Sequence, residues 1–167
     1  MQNKGFTYLE VLLGVMLLGL ILIPLLSQFY IGFQGNKNAA LVTQAVDLAS
    51  DLMEEIKSRR FDENEFPDDP VPAASLGTDA GENATDRTTF DDIDDYNGWQ
   101  SHPPKTIDGN ALTDFSDFTR KATVTYVILS GSNWVASGTA THYKEINVTV
   151  THPDVNDRVL ETIVSHY

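Results

Sequence analysis

A single carboxylate, Glu10, lies inside the most apolar stretch of the chain. From residue 6 to residue 26 only Thr7, Tyr8 and Glu10 carry polar groups, and the stretch contains no basic residue. A carboxylate in a membrane-spanning helix costs roughly 2.5–3.5 kcal/mol at the bilayer centre and less near an end, so a function is the default hypothesis for it. Lys4 lies nearby in the chain, but it precedes a glycine that would interrupt the helix. The plainer interpretation, compatible with the first, is that Glu10 stabilises a helix N-terminus through the helix dipole.

A cluster of carboxylates lies in the middle of the chain. Four occur within five positions: Asp91, Asp92, Asp94 and Asp95. Calcium binds about six to eight oxygen ligands, so this cluster is a candidate calcium site. The EF-hand spacing is not met, because Gly98 would place Ile93 at the first ligand position. The sequence favours a turn that is held to the core by apolar residues at every third position. These are Phe90, Ile93, Tyr96 and Trp99.

No pattern of residues predicts an enzyme, a bound metal or another cofactor. The chain has no cysteine, which excludes disulfides, thiolate metal sites and a cysteine nucleophile. Its histidines are scattered, away from any H-E-x-x-H spacing, and we interpret them as surface or turn residues. They are His102, His142, His152 and His166. The G-x-S-x-G, P-loop and G-x-G-x-x-G motifs are also missing from the sequence. We therefore predict a protein without catalytic residues.

Charge is distributed unevenly along the 167 residues. The chain has 11 Lys and Arg against 24 Asp and Glu, for a net charge of −13. Residues 61–118 contain 15 of the acids and only two bases, Arg87 and Lys105, so the rest of the chain is neutral. Phosphate contacts require Lys and Arg, and this balance therefore argues against nucleic acid as a partner.

The apolar stretch predicts a membrane helix. Its 21 residues would form roughly 30 Å of helix, the thickness of a bilayer core. A cleaved secretory signal is disfavoured, because no pair of small residues follows the stretch at Leu26. A buried helix of a soluble protein is disfavoured because the stretch has no polar face. Gly14 and Gly19 would allow close helix packing, and Pro24 would loosen the helix.

The residues from Lys4 to Leu13, K-G-F-T-Y-L-E-V-L-L, resemble the leader and methylation site of type IV pilins and pseudopilins. In that family an inner-membrane prepilin peptidase cleaves after the glycine and methylates the new terminal amine. The resemblance implies a leader of residues 1–5, cleavage between Gly5 and Phe6, and N-methylation of Phe6. It also implies that Glu10, the fifth mature residue, directs assembly by pairing with the Phe6 amine of a neighbouring subunit.

The same resemblance implies partners and a location. The partners are the prepilin peptidase, other pilins or pseudopilins bound through the N-terminal helix, and the inner-membrane assembly platform. The protein would cross the inner membrane once, with its C-terminal part in the periplasm, and then enter a pilus or pseudopilus. Residues 6–30 would form the membrane segment and later the filament core.

Beyond Gly35 a second helical pattern begins. Apolar residues recur at spacings of three and four along one helix face, at Leu41, Ala45, Leu48, Leu52 and Ile56. A single helix over residues 6–60 would be about 80 Å long, which suits a chain whose first half lies in a membrane or filament. The alternative is two helices hinged at Gly32 and Gly35.

The rest of the chain predicts an acidic loop region over 61–118 and an antiparallel sheet over 119–167. Period-two alternation predicts strands at 122–129, 143–151 and 158–165, with Trp134–Ala136 as an edge strand or hairpin tip. Val124, Tyr126 and Ile128 should share one face. The fold class is therefore α+β, with the sheet packed on the second half of a long helix, as in the ladle shape of pilins.

Short motifs around Leu52–Ile56, Arg60–Glu63 and Phe90–Trp99 are similar to minor pilins of the mannose-sensitive haemagglutinin type. The missing C-terminal cysteine pair also favours a minor pilin. Two alternatives stay open: a minor pseudopilin of type II secretion, and a plain membrane-anchored periplasmic binding module.

Overall fold

A computed structural model of the chain describes residue 5 and residues 7–62 and 76–166. The chain divides into two compact units, Met1–Ala40 and Leu41–Tyr167. One long helix, α1, contributes to both units, and the strands all belong to the second. The secondary structure is that of an α+β protein, as the sequence predicts.

Helix α1 runs from Tyr8 to Lys57. It contains Pro24 and continues as helix through Gly32 and Gly35, so the predicted alternative of two hinged helices is wrong. The helix is slightly shorter than the predicted range of 6–60. At its C-terminal end the Ser58 hydroxyl donates to the carbonyl of Glu55 at 2.6 Å, which satisfies one of the last free carbonyls.

In the first unit the side chains of α1 are almost all exposed. The apolar ones include Leu9, Leu18, Ile23, Phe29 and Phe33. By length and composition, this part of α1 could cross a membrane. Exposed apolar surface of this extent is typical of a membrane-contacting or protein-contacting surface.

In the second unit, one face of α1 is buried under the sheet. The predicted stripe is confirmed, because Ala45, Leu48, Leu52 and Ile56 are buried and Leu41 packs against them. Ala49 and Met53 widen this buried face. The sheet residues of the same core include Ala122, Val124, Ile146, Val148 and Val150.

The sheet has five antiparallel strands. They are β1 (Gln100–Ser101), β2 (Thr119–Ser130), β3 (Asn133–Ala136), β4 (Tyr143–His152) and β5 (Val155–Ser165). The order is β1-β2-β4-β5, and β3 pairs with the end of β2. Val124 lies opposite Ile146, and Val148 lies opposite Leu160. The predicted strands are all present, and each of them is longer than expected.

The predicted buried face of strand β2 is wrong at the C-terminal end of the strand. Val124 and Tyr126 are buried together, but Ile128 is exposed and Val127 is buried in its place. At this point β2 stops pairing with β4, where Tyr126 faces Lys144, and begins pairing with β3, where Val127 faces Ala136. The change of partner ends the simple alternation.

The described part of the acidic region contains short elements only. It has two 3₁₀ helices, Asp94–Tyr96 and Thr113–Phe115, in addition to β1. The predicted apolar anchors are confirmed: Phe90, Ile93, Tyr96 and Trp99 are buried. The Gly98 N–H donates to the carbonyl of Ala122 at 3.1 Å, which attaches this loop to β2.

Candidate functional site

Glu10 lies in the first turn of α1. Thr7 caps this turn, since the Glu10 N–H donates to the Thr7 carbonyl at 3.0 Å and lies 3.4 Å from its hydroxyl oxygen. The side chain of Glu10 is exposed. Within residues 7–62 and 76–166, no basic side chain comes within salt-bridge distance of its carboxylate. Glu10 is therefore placed to favour the helix dipole.

The other two predicted residues of this site precede the helix. Gly5 is exposed, as access by a peptidase would require. Phe6, the predicted site of methylation, lies outside the described residues. The structure therefore brings Gly5 and Glu10 to the same end of α1, and the cleavage and methylation stay predictions.

A buried lysine contacts the acidic cluster. The ammonium of Lys144, on β4, is fully buried and lies 3.0 Å from Oδ1 of Asp94 and 3.4 Å from Oδ2 of Asp62. It also donates to the carbonyl of Phe61 at 2.6 Å and lies 4.3 Å from the centre of the Phe61 ring. The hydroxyl of Tyr126 lies 3.4 Å from Asp62. A buried cation is tolerated only with such partners, so these contacts explain the burial of Lys144.

Asp92 and Asp94 are part of the same arrangement. Oδ1 of Asp92 accepts the N–H groups of Asp94 at 2.9 Å and Asp95 at 3.3 Å. The pKa of Asp94 is raised to about 8, chiefly by burial and also by the neighbouring Asp92, whereas the Lys144 ammonium opposes the rise. The prediction of a turn pinned by its apolar residues holds, and three of its four carboxylates are buried with it: Asp92, Asp94 and Asp95.

Asp95 belongs to a second group of carboxylates, with Glu82 and Asp91. Oδ2 of Asp95 accepts the N–H groups of Asp91 at 2.9 Å and Asp92 at 3.1 Å. The pKa of Asp95 is raised to about 7, chiefly by burial and also by its hydrogen bond to Glu82. Arg60 lies 2.5 Å from Asp91. This group is thus held by backbone donors and by an arginine.

Both carboxylate groups have oxygens close enough to bind one cation. In each, the three ligand atoms lie within 4.8 Å of one another: Asp62, Asp92 and Asp94 in one, Glu82, Asp91 and Asp95 in the other. The first group already has an internal cation in Lys144, and the second has Arg60. Each of these cations offsets part of the negative charge of its group.

A third buried ionic group connects α1 to the loop region. Arg87 lies 2.5 Å from Oε2 of Glu55, donates to the carbonyl of Lys105 at 2.5 Å, and stacks 4.6 Å from the centre of the Trp99 ring. Arg120 donates to the same carbonyl. Burial, together with the nearby Arg87, lowers the pKa of Arg120 to about 10.

The burial of Lys144 and Arg120 was not predicted, although the strand pattern in the sequence indicates it. Lys144 has the same strand parity as Ile146 and Val148, and Arg120 the same parity as Ala122 and Val124. Side chains two apart on a strand share a face, so both bases are on the core face. Their partners could not be found this way, because Asp94 and Asp62 are distant in sequence.

The histidines lie in the second unit. His102 Nδ1 lies 3.1 Å from the carbonyl of Phe118, and the rings of His142 and His166 stack with centroids 6.1 Å apart. The ring of His152 contacts Phe118 with centroids 4.5 Å apart. Among the described residues, no histidine belongs to a group of three potential metal ligands.

Comparison of this chain with protein-family models, with curated proteins and with solved structures gives no match.

Proposed function

We propose that this chain is a minor type IV pilin, a structural subunit that enters or initiates a pilus-like filament. In this proposal the prepilin peptidase cleaves between Gly5 and Phe6 and methylates the Phe6 amine. The observation that carries the proposal is Glu10: an exposed carboxylate with no cation beside it in the described chain, in the first turn of a long, apolar, uncovered helix.

The chemistry of assembly follows from that position. Cleavage would create an α-amine at Phe6, whose ordinary pKa of about 7.7–8.0 leaves it largely cationic at neutral pH, and methylation keeps it basic. Away from water, an unpaired Glu10 is costly and a paired Glu10 is tolerated. Pairing between Glu10 of one subunit and Phe6 of the next would neutralise both charges and select one axial register.

The exposed apolar surface of α1 supports the same proposal. In this proposal lipid covers this surface before assembly, and the chain crosses the inner membrane with its sheet in the periplasm. After assembly it would be covered by the helices of other pilins. The inner-membrane assembly platform would transfer the subunit from one environment to the other.

The second unit supports a structural role. It contains two ion pairs with a buried base, Lys144 with Asp94 and Arg87 with Glu55. These contacts fasten the acidic region to α1 and to the sheet. The narrower likeness, to the D component of mannose-sensitive haemagglutinin pili, rests on motifs in this same region.

The test replaces Glu10 by Ala in the native host and measures the variant in membranes and in sheared filaments. We expect Glu10→Ala to be stable in the membrane and lost from filaments, because the register-setting charge is gone. Glu54→Ala is the control, since Glu54 is exposed on the same helix and pairs with Lys57 at 2.9 Å. It should enter filaments normally.

Three results would overturn the proposal or narrow it. Normal entry of Glu10→Ala into filaments would contradict the pairing of Glu10. An unprocessed protein for which Glu10→Ala has no effect would indicate a plain membrane-anchored binding module. Loss of exoprotein secretion, with surface filaments unchanged, would assign the subunit to a type II secretion pseudopilus.

A further inference from the structure

Strand β5 forms one edge of the sheet and pairs with β4 on one side only. The order β1-β2-β4-β5 leaves the second side of β5 without a neighbouring strand. The opposite edge of the sheet is formed by β1, which has two residues, whereas β5 has 11. A long edge strand presents a row of backbone donors and acceptors to which another chain can pair. We call the unpaired side of β5 the free edge.

The backbone groups of the free edge belong to the odd-numbered residues of β5. His166 follows β5, and its N–H donates to the carbonyl of His142 at 3.0 Å. Hydrogen-bonded pairs alternate along an antiparallel ladder, and the register with β4 is unbroken from there back to Val159. The N–H and C=O groups of Val159, Glu161 and Ile163 therefore point away from β4. Among the described residues, these groups have no hydrogen-bond partner.

The sequence of β5 does little to protect this edge. Proteins protect an edge strand with proline, with lysine, with a bulge or with a charge that points inward. β5 contains neither proline nor lysine. Its one inward charge is Arg158, which has the parity of Leu160 on the core face, and its pairing is irregular only near its start, opposite Val150 and His152. Residues 159–165 are therefore open to a pairing strand.

The outer face of β5 carries negative charge. Asp157 and Glu161 are exposed on this face, on either side of Val159, which is 56% exposed. Neither carboxylate forms a salt bridge with a described residue. Glu145 of the adjacent strand lies on the same face, opposite Ile163. A strand that pairs with the free edge would therefore meet acidic side chains on this face.

We propose that the free edge of β5 binds an extended segment of a different protein, which adds a strand to the sheet and carries Lys or Arg at alternate positions. In this mode of recognition backbone hydrogen bonds give affinity and alternate side chains give specificity. Bases of the added strand would lie beside Asp157 and Glu161. A second copy of this chain is disfavoured, because it would bring the same carboxylates to the edge and like charges across two strands are destabilising. The proposal does not rest on the assignment of the chain as a pilin.

The test is calorimetric titration of the full chain, in a non-ionic detergent, with a short synthetic peptide of alternating Val and Lys that is blocked at both ends. A peptide of alternating Val and Glu tests the role of charge. A Val–Lys peptide with a methylated backbone keeps the charge and lacks the N–H donors that strand pairing requires. We expect saturable binding of the first peptide, binding of the other two weaker by about tenfold or more, and slower hydrogen exchange of the β5 amides in the first complex.

Three variants keep the test specific. Glu161→Lys should weaken binding of the Val–Lys peptide and strengthen that of the Val–Glu peptide. Asp114→Lys makes the same change of charge at an exposed position outside the sheet and should leave both unchanged. Val159→Pro removes an outward N–H that makes no bond to β4, so it should weaken binding while the melting temperature stays nearly the same.

Several results would overturn the proposal. One is the absence of binding by the Val–Lys peptide. Equal binding of the methylated peptide, or equal effects of Glu161→Lys and Asp114→Lys, would show that only the net negative charge of the chain attracts the peptide. Dimerisation of the chain that Val159→Pro abolishes would assign the free edge to a second copy instead of a different protein.

Discussion

The ammonium of Lys144 lies 3.0 Å from Oδ1 of Asp94, across 50 residues of sequence, and their side chains are 0% and 6% exposed. The same ammonium contacts Phe61 and Asp62, which follow helix α1. One lysine thus joins strand β4, the acidic loop and the segment that leaves the helix. Several consequences can be measured.

Replacement of Lys144 by Met should destabilise the second unit strongly. Removing one partner of a buried ion pair costs about 3–5 kcal/mol, because the other charge stays buried and uncompensated. We expect the largest loss at pH 8.5, above the pKa of Asp94, and a smaller loss in acid, where Asp94 takes up a proton. Chemical unfolding of the full chain in detergent, monitored by near-ultraviolet circular dichroism, measures the loss in unfolding free energy.

The matched control is Lys121→Met, at an exposed position of the neighbouring strand β2. It should change the unfolding free energy by less than about 0.5 kcal/mol. The double variant Lys144→Met/Asp94→Asn should recover part of the loss. Stability of Lys144→Met equal to that of the control would show that the buried contacts of Lys144 contribute nothing.

Calcium should not be needed for the stability of the acidic loop. Lys144 contacts two carboxylates of the first acidic group, and Arg60 contacts Asp91 in the second. We expect the melting temperature to be the same with excess calcium and with a chelator, because binding to the folded state alone would raise it. A calcium-dependent rise would contradict this role of Lys144.

Stability should fall as the pH rises from about 5 to about 8. Burial raises the pKa of Asp94 to about 8 and that of Asp95 to about 7, against about 3.9 for an unfolded aspartate. Between these values the folded state holds more protons than the unfolded state, so the unfolding free energy decreases with pH. Each group contributes at most about 1.4 kcal/mol per pH unit.

Melting temperatures across this pH range measure the slope. The asparagine side chain of the Asp94→Asn variant cannot titrate. The melting temperature of this variant should therefore fall less steeply with pH than that of the unmodified chain. Asp114→Asn, at an exposed position of the same region, should leave the slope as it is. A melting temperature that rises with pH, or an Asp94→Asn slope equal to that of the unmodified chain, would contradict the raised pKa.

Local periodicity in the sequence was enough to predict most of the fold. The stripe through Ala45, Leu48 and Leu52 follows the period of a helix, and Ile146 and Val148 follow that of a strand. These patterns are set by residues three, four or two apart, which the sequence shows directly. The face of Ile128 was missed because the strand changes partners at that point, and partners are not readable from one strand.

The buried charges were less predictable. Four neighbouring carboxylates indicate either a solvated turn or a cation site, and the choice depends on a base 50 residues away. The position of Glu10 at the start of a helix could be predicted, and the structure places it there. The partner of Glu10 could not be predicted in the same way, because the proposed partner belongs to another subunit.

The central claim is tested most directly by the intact mass of the protein extracted from membranes of its native host. The account predicts loss of Met1 to Gly5 and the addition of one methyl group at Phe6. That result would establish prepilin processing and direct attention to the identity of the filament. A mass that corresponds to the uncleaved chain would contradict this prediction. It would indicate a simple membrane-anchored domain and rule out the proposed pairing of Glu10 with Phe6.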